Sequence, residues 1–250
     1  MSTVIEVKNV SKKYAKNYKS ALALLKKDLK SSFFCNAKKK ELDCAKGEFI
    51  VLNDISFEIK QNEKVAILGK NGAGKSTLLK LLFGIILPDQ GTVTIDGIVG
   101  GILELGGSLI KSLSGRENIY HIGSMYHKSK EEIEKFVDEI IEFTELGDFI
   151  DSPVEYYSSG MKSKLSFALY LYMKPDILIL DEVFAAGDKN FRAKAKKKLL
   201  DLINSTTTIL VSHDLKIVQD IATRVIVLQK GKILFDGDVK EGLEIYKGLK

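Results

Sequence analysis

Gly69-Lys70-Asn71-Gly72-Ala73-Gly74-Lys75-Ser76-Thr77 decides the reading of this chain. An apolar run, Val65 to Leu68, precedes it and a helical apolar pattern, Leu78, Leu79, Leu81 and Leu82, follows, so the order is strand, glycine loop, helix. That order builds a phosphate cradle. Gly69, Gly72 and Gly74 let the backbone turn its N–H groups inward, and the helix beginning near Lys75 adds its positive end. Lys75 is placed to reach the β and γ phosphates of a nucleotide, and the Ser76 hydroxyl to ligate Mg²⁺. A plain glycine-rich turn would need neither the lysine nor the hydroxyl.

Outward from the loop, Asp176 to Glu182 reads Asp-Ile-Leu-Ile-Leu-Asp-Glu, an aliphatic strand ending in two carboxylates. Unbroken aliphatics indicate burial on both faces, as in a parallel sheet. Asp181 can hold Mg²⁺ against the β and γ phosphates, and Glu182, one residue on, can orient or deprotonate an attacking water. Thr207 to Val211 is a further strand, ending in Ser212-His213-Asp214, and ligands in such sheets gather at the carboxyl ends of the strands. His213 is therefore a candidate γ-phosphate contact. His121 and His127 have no comparable setting.

The remaining strands are expected at 3–10, at 53–59 (alternating), at 92–96, at 225–228 and at 232–235, the last two joined by the Lys230-Gly231 turn. Gly100 to Gly107 is rich in glycine and reads as a mobile stretch. Ser114-Gly115-Arg116-Glu117-Asn118 opens a helix, and Ile133, Phe136, Val137, Ile140 and Ile141 mark an amphipathic one. The middle of the chain is thus mostly helical, set between two parts that carry strands.

The chain has 250 residues, 45% of them hydrophobic, enough for a full core. No apolar run approaches the roughly 20 residues that span a bilayer, and Met1 to Val10 lacks a basic-then-apolar leader pattern. The expectation is a soluble, cytosolic protein. Cys35 and Cys44 lie in a lysine-rich stretch without histidine, which favours free thiols over a metal site or a disulfide. The net charge of +5 is local: Lys12 to Lys46 carries eleven lysines against Asp28, Glu41 and Asp43. Nucleic-acid binding therefore does not follow from the overall charge. Within that stretch Leu22, Leu25 and Leu29 recur at helical spacing among lysines, a short amphipathic helix. Docking on its own domain, contact with a membrane surface or membrane partner, and nucleic acid all remain open for it.

With these motifs in place the chain resembles the ATP-binding subunits of ABC transporters over nearly its whole length. Gly69 to Thr77 is similar to the Walker A loop, Ile177 to Glu182 to the Walker B strand with its catalytic glutamate, Ala185-Ala186-Gly187-Asp188 to the D-loop, and His213 to the switch histidine. The resemblance gives Tyr14 the role of stacking on adenine; by itself it reads as a strand-end tyrosine. Tyr157-Ser158-Ser159-Gly160-Met161 matches the signature Leu-Ser-Gly-Gly-Gln only at Ser158 and Gly160, but it stands in the right place, at a helix start about twenty residues before the Walker B strand. Such a helix start offers N–H groups and the Ser158 hydroxyl to an anion. In the family that anion is the γ phosphate held by the other subunit, so the resemblance implies a head-to-tail dimer sharing two ATP. Where most members have a glutamine that senses Mg²⁺ and the membrane partner, this chain has none, and Glu104 is the nearest polar candidate.

Tyr-Ser-Ser-Gly-Met-Lys, Glu-Leu-Gly before Ser-Gly-Arg-Glu-Asn-Ile, and Asp-Glu-Val-Phe-Ala-Ala-Gly-Asp together resemble the branch exporting bacterial capsule, O-antigen and teichoic acid. The basic insert, 15–52, also resembles the O-antigen and teichoic-acid members. The implied fold is α/β: one P-loop NTPase domain over 1–250, with a mostly parallel sheet, a small antiparallel part and a helical subdomain over about 105–170. The implied protein is an ATPase using ATP and Mg²⁺, peripheral on the cytoplasmic face of the bacterial cytoplasmic membrane. Its implied partners are a second copy, a membrane-spanning permease and a lipid-linked polysaccharide cargo, with no nucleic acid. The alternatives are a drug or lipid cargo, an ATPase acting on nucleic acid or ribosomes, and a P-loop kinase.

Overall fold

The computed structural model describes residues 2–16, 47–102, 109–181 and 189–249. Thr3–Ala15 (β1), Glu48–Lys60 (β2) and Gln90–Ile95 (β4) make an antiparallel sheet in the order β2-β1-β4. A second sheet runs Val99–Ile102 (β5), Ile177–Asp181 (β6), Thr207–Val211 (β7), Lys64–Leu68 (β3), Arg224–Gln229 (β8) and Lys232–Gly237 (β9), in that spatial order. All its pairings are parallel except β8 with β9. The expected α/β class with a mostly parallel sheet and a small antiparallel part is what the chain adopts.

The aliphatic strands are unbroken because both of their faces are buried. In β3, Ala66 and Leu68 enter a core shared with the helices, while Val65 and Ile67 enter a second core against the antiparallel sheet. β6 divides in the same way, Leu178 and Leu180 to the first and Ile177 and Ile179 to the second, and β8 repeats it with Val225 and Val227 against Ile226 and Leu228. A strand with period-2 side chains and two apolar neighbours has no face left for polar residues.

Lys75–Leu82 (α1) follows β3, with its four leucines buried. Gly115–Met125 (α2), Lys130–Thr144 (α3) and Ser159–Met173 (α4) lie in the chain between β5 and β6. Reciprocal capping boxes start α2, at Ser114 with Glu117, and α3, at Ser129 with Glu132, each satisfying N–H groups that the helix leaves open. Lys189–Ser205 (α5) joins β6 to β7, Leu215–Ile221 (α6) joins β7 to β8, and Val239–Gly248 (α7) follows β9.

One expectation is overturned. The glycine-rich stretch after residue 99 is not simply a mobile loop, since Val99–Ile102 is the edge strand β5, paired in parallel with Ile177 to Leu180. Gly101 belongs there because a Cβ would lie 2.4 Å from the Ile179 carbonyl oxygen and 2.6 Å from the Phe83 ring. Glycine permits the close approach while hiding the strand from propensity. Residues 103–108 lie outside the described residues. So does most of the basic insert, but its ends do not: Ala15 closes β1 and 48–52 open β2, which begins well before the alternating run at 53.

Candidate nucleotide site

The loop sits at the carboxyl end of β3, and α1 springs directly from it. Gly74 caps that helix at φ 108°, ψ 0°, a left-handed conformation in which a Cβ would lie 2.6 Å from Leu52 Cδ2. Only glycine fits both the angle and the contact with β2. No side chain caps α1 and no acid stands in its first turn, so its first N–H groups and positive end face the loop. Lys75 arches back over the loop, its Nζ donating to the carbonyl oxygens of Gly69 and, at 3.4 Å, Lys70. Lys70, Asn71, Gly72 and Ser76 are exposed, whereas Ala73 is buried and Thr77 half-buried.

Phe49 and Val51 of β2, with loop and α1 residues from Lys70 to Thr77, line a cleft of about 290 Å³. Phe49 is 43% exposed, unusual for so large an apolar side chain on a strand, and it faces Tyr14 of β1 directly across the sheet with ring centroids 6.2 Å apart. Tyr14 lies one residue before the end of β1, and Phe49, its cross-strand neighbour, is the one of the two that lines the loop cleft. Sequence reasoning missed Phe49; the signal was the alternation Phe49, Val51, Asn53, which carries the strand back to the loop.

The strand order supplies the rest. β7 lies directly beside β3, and β6 beside β7, all parallel, so their carboxyl ends emerge on the edge that bears the loop. Asp181 is half-buried at the end of β6, opposite Val211. At about 4.8 Å per strand it stands roughly 10 Å from the β3 line, a gap that phosphates and a metal ion can fill. His213 is exposed, two residues past Val211. Its backbone is fixed on both sides: the Asp214 N–H donates to Ser212 Oγ at 3.0 Å, and the Asp214 carboxylate caps α6. Ser76 and Asp181 are both hard oxygen donors, the set that Mg²⁺ takes from a protein when phosphates and water complete its shell. Among the described residues no cluster of three or more acids, histidines or cysteines could by itself hold a metal. The donor chemistry thus fits Mg²⁺ shared with a nucleotide.

Ser158 caps α4, accepting from the Met161 N–H at 3.2 Å, which leaves its hydroxyl hydrogen able to donate outward. Tyr157 anchors that start: it is buried, its hydroxyl donates to the Phe149 carbonyl at 2.6 Å, and burial raises its pKa above the usual phenol value. Ser159 and Gly160 are exposed, and a Cβ on Gly160 would meet nothing nearer than 3.8 Å. The helix start is therefore open. It does not line the loop cleft of its own chain. Glu104, Glu182 and Asp188 lie outside the described residues, though Asp181, the residue before Glu182, sets where that segment leaves the sheet.

Larger clefts occur elsewhere. One of about 600 Å³ lies between α5 and α6, and one of about 510 Å³ at the opposite edge of the sheet, near Asn62, Asp96 and Asp176. Neither includes any residue of the glycine loop. Among the described residues no helix is long and apolar enough to cross a membrane.

Residues 52–185 match the family model described as ABC transporter. The O-antigen export system ATP-binding protein RfbB of Klebsiella pneumoniae is 40% identical over 249 residues, covering 99% of this chain and 98% of that protein. The teichoic acids export ATP-binding protein TagH of Shouchella clausii is 38% identical over 88% of this chain, which spans 59% of that longer relative. A solved ATP-binding subunit of an ABC transporter superposes with a TM-score of 0.72 at 21% identity, covering 99% of this chain and 95% of that one, which shows a shared fold.

Proposed function

This chain belongs to the ABC transporter family, and we propose that it is the ATP-hydrolysing motor subunit of an exporter that moves a lipid-linked surface polysaccharide across the cytoplasmic membrane. The observation carrying the motor assignment is the convergence of the glycine loop, Asp181 and His213 at adjoining strand ends. The polysaccharide assignment rests on relatives that export O-antigen and teichoic acid, matched at 38–43% identity. The absence of a spanning helix among the described residues accords with a subunit that works beside a separate permease at the cytoplasmic face.

In this reading the loop amides, α1 and Lys75 hold the β and γ phosphates, Phe49 and Tyr14 offer aromatic surface to the base, and Ser76 and Asp181 take the metal. Held by Ser76 and Asp181, Mg²⁺ would supply charge neutralisation to the phosphates. Glu182 orients and deprotonates the attacking water, and His213 donates to the γ phosphate. The family resemblance assigns Asp188 a role in the dimer contact and makes Glu104 the candidate for sensing the metal and the permease. Ser158, Ser159 and Gly160 have an open face away from their own loop cleft, which suits a γ phosphate held by a second copy. Two copies then close head to tail on two ATP, and hydrolysis lets them part, since ADP cannot bridge the two surfaces.

The test is light scattering of purified Glu182→Gln with and without saturating Mg-ATP, beside the Mg²⁺-dependent ATPase rate of the wild type. An ATP-dependent dimer of the variant and a metal-dependent rate are expected. A variant that stays monomeric at saturating Mg-ATP contradicts the shared-site reading. A different cargo would leave both results intact, and the surface polymer itself would have to be assayed.

A further inference from the structure

Glu145 closes α3 in a left-handed conformation, φ 56° and ψ 33°. That position ordinarily selects glycine or asparagine, because a larger side chain there is strained. Among the described residues its carboxylate meets two lysines from two other helices. Lys194 of α5 donates to Oε1, and Lys164 of α4 lies 3.7 Å from Oε2.

The same three helices interlock beneath this contact. Phe191 of α5 is fully buried, with ring centroids 5.1 Å from Phe143 of α3 and 6.1 Å from Phe167 of α4. Lys164 Nζ stands 5.4 Å from the Phe191 ring. One turn beyond Lys194, Lys198 Nζ lies 3.5 Å from the Tyr172 ring and 3.9 Å from Glu139. α4 carries Ser158 at its start, and α5 begins eight residues after Asp181. Glu145 thus joins the helix that presents the outward-facing serine to the helix that follows the metal-binding strand.

We propose that Glu145 is a positioning residue for ATP hydrolysis, one that holds α4 and α5 in a fixed relation through Lys164 and Lys194, each the sixth residue of its helix. The inference rests on the ATPase reading above. Among the described residues Glu145 contacts nothing in the loop cleft, so the expected effect falls on the rate and leaves the loop's own hold on the nucleotide in place. A purely structural role predicts the reverse of what this arrangement implies. Glu145→Gly relieves the left-handed strain and removes an exposed pair with Lys194 that contributes little to stability; the largely buried Lys164 loses the carboxylate but keeps its place over the Phe191 ring, so relief and loss offset and the variant should melt close to the wild type or above it.

The experiment measures melting temperature, kcat and KM for Mg-ATP in the full chain, for wild type, Glu145→Gly, Lys194→Met and the double variant. The expected result is an unchanged or higher melting temperature for Glu145→Gly, a kcat reduced about three- to tenfold and an unchanged KM. The double variant should be no slower than the slower single, as for two residues acting through one contact. A Glu145→Gly kcat equal to the wild type overturns the proposal. So does a melting temperature that falls with kcat, or single effects that multiply in the double variant. The wild-type rate stands apart as a check on the ATPase reading: it fails only if the unaltered protein has no Mg²⁺-dependent activity, whatever the variants do.

Discussion

Asp181 and Val211 face each other at the carboxyl ends of neighbouring parallel strands, so the carboxylate and His213, two residues beyond Val211, leave the sheet on one edge. The pairing makes a two-residue prediction. In the proposed reading Asp181→Asn weakens a metal donor and His213→Ala removes a donor to the γ phosphate. Each should lower kcat by about a hundredfold or more, because positioned charges and donors in a closed site are worth that much. Raising Mg²⁺ should partly restore Asp181→Asn and leave His213→Ala unchanged, which steady-state ATPase assays over a Mg²⁺ series will read.

The loop allows binding to be separated from folding. Lys75→Ala leaves the loop backbone intact and should weaken ATP binding about ten- to hundredfold, the cost of a charge-assisted contact to phosphate. Gly74→Ala forces a Cβ to within 2.6 Å of Leu52 Cδ2 at φ 108°. It should cost about 1–3 kcal/mol of stability, or roughly 2–4 °C per kcal/mol in a chain of this size. Nucleotide titration followed by thermal melting distinguishes the two variants.

Phe49 and Tyr14 are both candidates to meet the base. Phe49 lines the cleft and Tyr14, its cross-strand neighbour, does not, so Phe49→Ala should raise the Kd for ATP about fivefold or more, and Tyr14→Ala no more than Phe49→Ala. Titration with fluorescent ATP measures both. A larger loss in Tyr14→Ala would mean that Tyr14 meets the base directly.

A pH effect is expected where α2 meets the turn at 147–151. Arg116 donates to both Asp151 oxygens, at 2.7 and 3.2 Å, and these hydrogen bonds hold the Asp151 pKa below its ordinary 3.8. A depressed carboxylate pKa contributes stability above the unfolded value, and that contribution is lost as pH falls through the folded value. Asp151→Asn should therefore melt slightly below wild type at pH 7, and the difference should shrink as pH drops below 3.8. The pair is exposed, so added salt should also reduce the difference. Melting curves from pH 7 to pH 3 supply the check.

What was legible in the sequence had a local cause. β3, β6 and β7 announce themselves because two apolar layers leave them no polar face, and the loop because glycine, lysine and a hydroxyl must stand at fixed spacing. β5 was hidden because Gly100 and Gly101 are chosen for what lies against them, not for strand propensity. Phe49 becomes a site residue only through the β1–β2 register, which places it opposite Tyr14. Glu145 was beyond reach for the same reason: its partners lie 19 and 49 residues away on separate helices, and no spacing rule links them.

In the proposed function, ATP hydrolysis by this chain drives export of a surface polysaccharide. The most direct measurement deletes the gene in its bacterium, complements with wild type or Glu182→Gln, and quantifies the polymer at the surface and inside the cell. Surface polymer should disappear and accumulate inside, and only the wild type should restore it. Unchanged surface polymer in the deletion strain, or full restoration by Glu182→Gln, would contradict the proposed function.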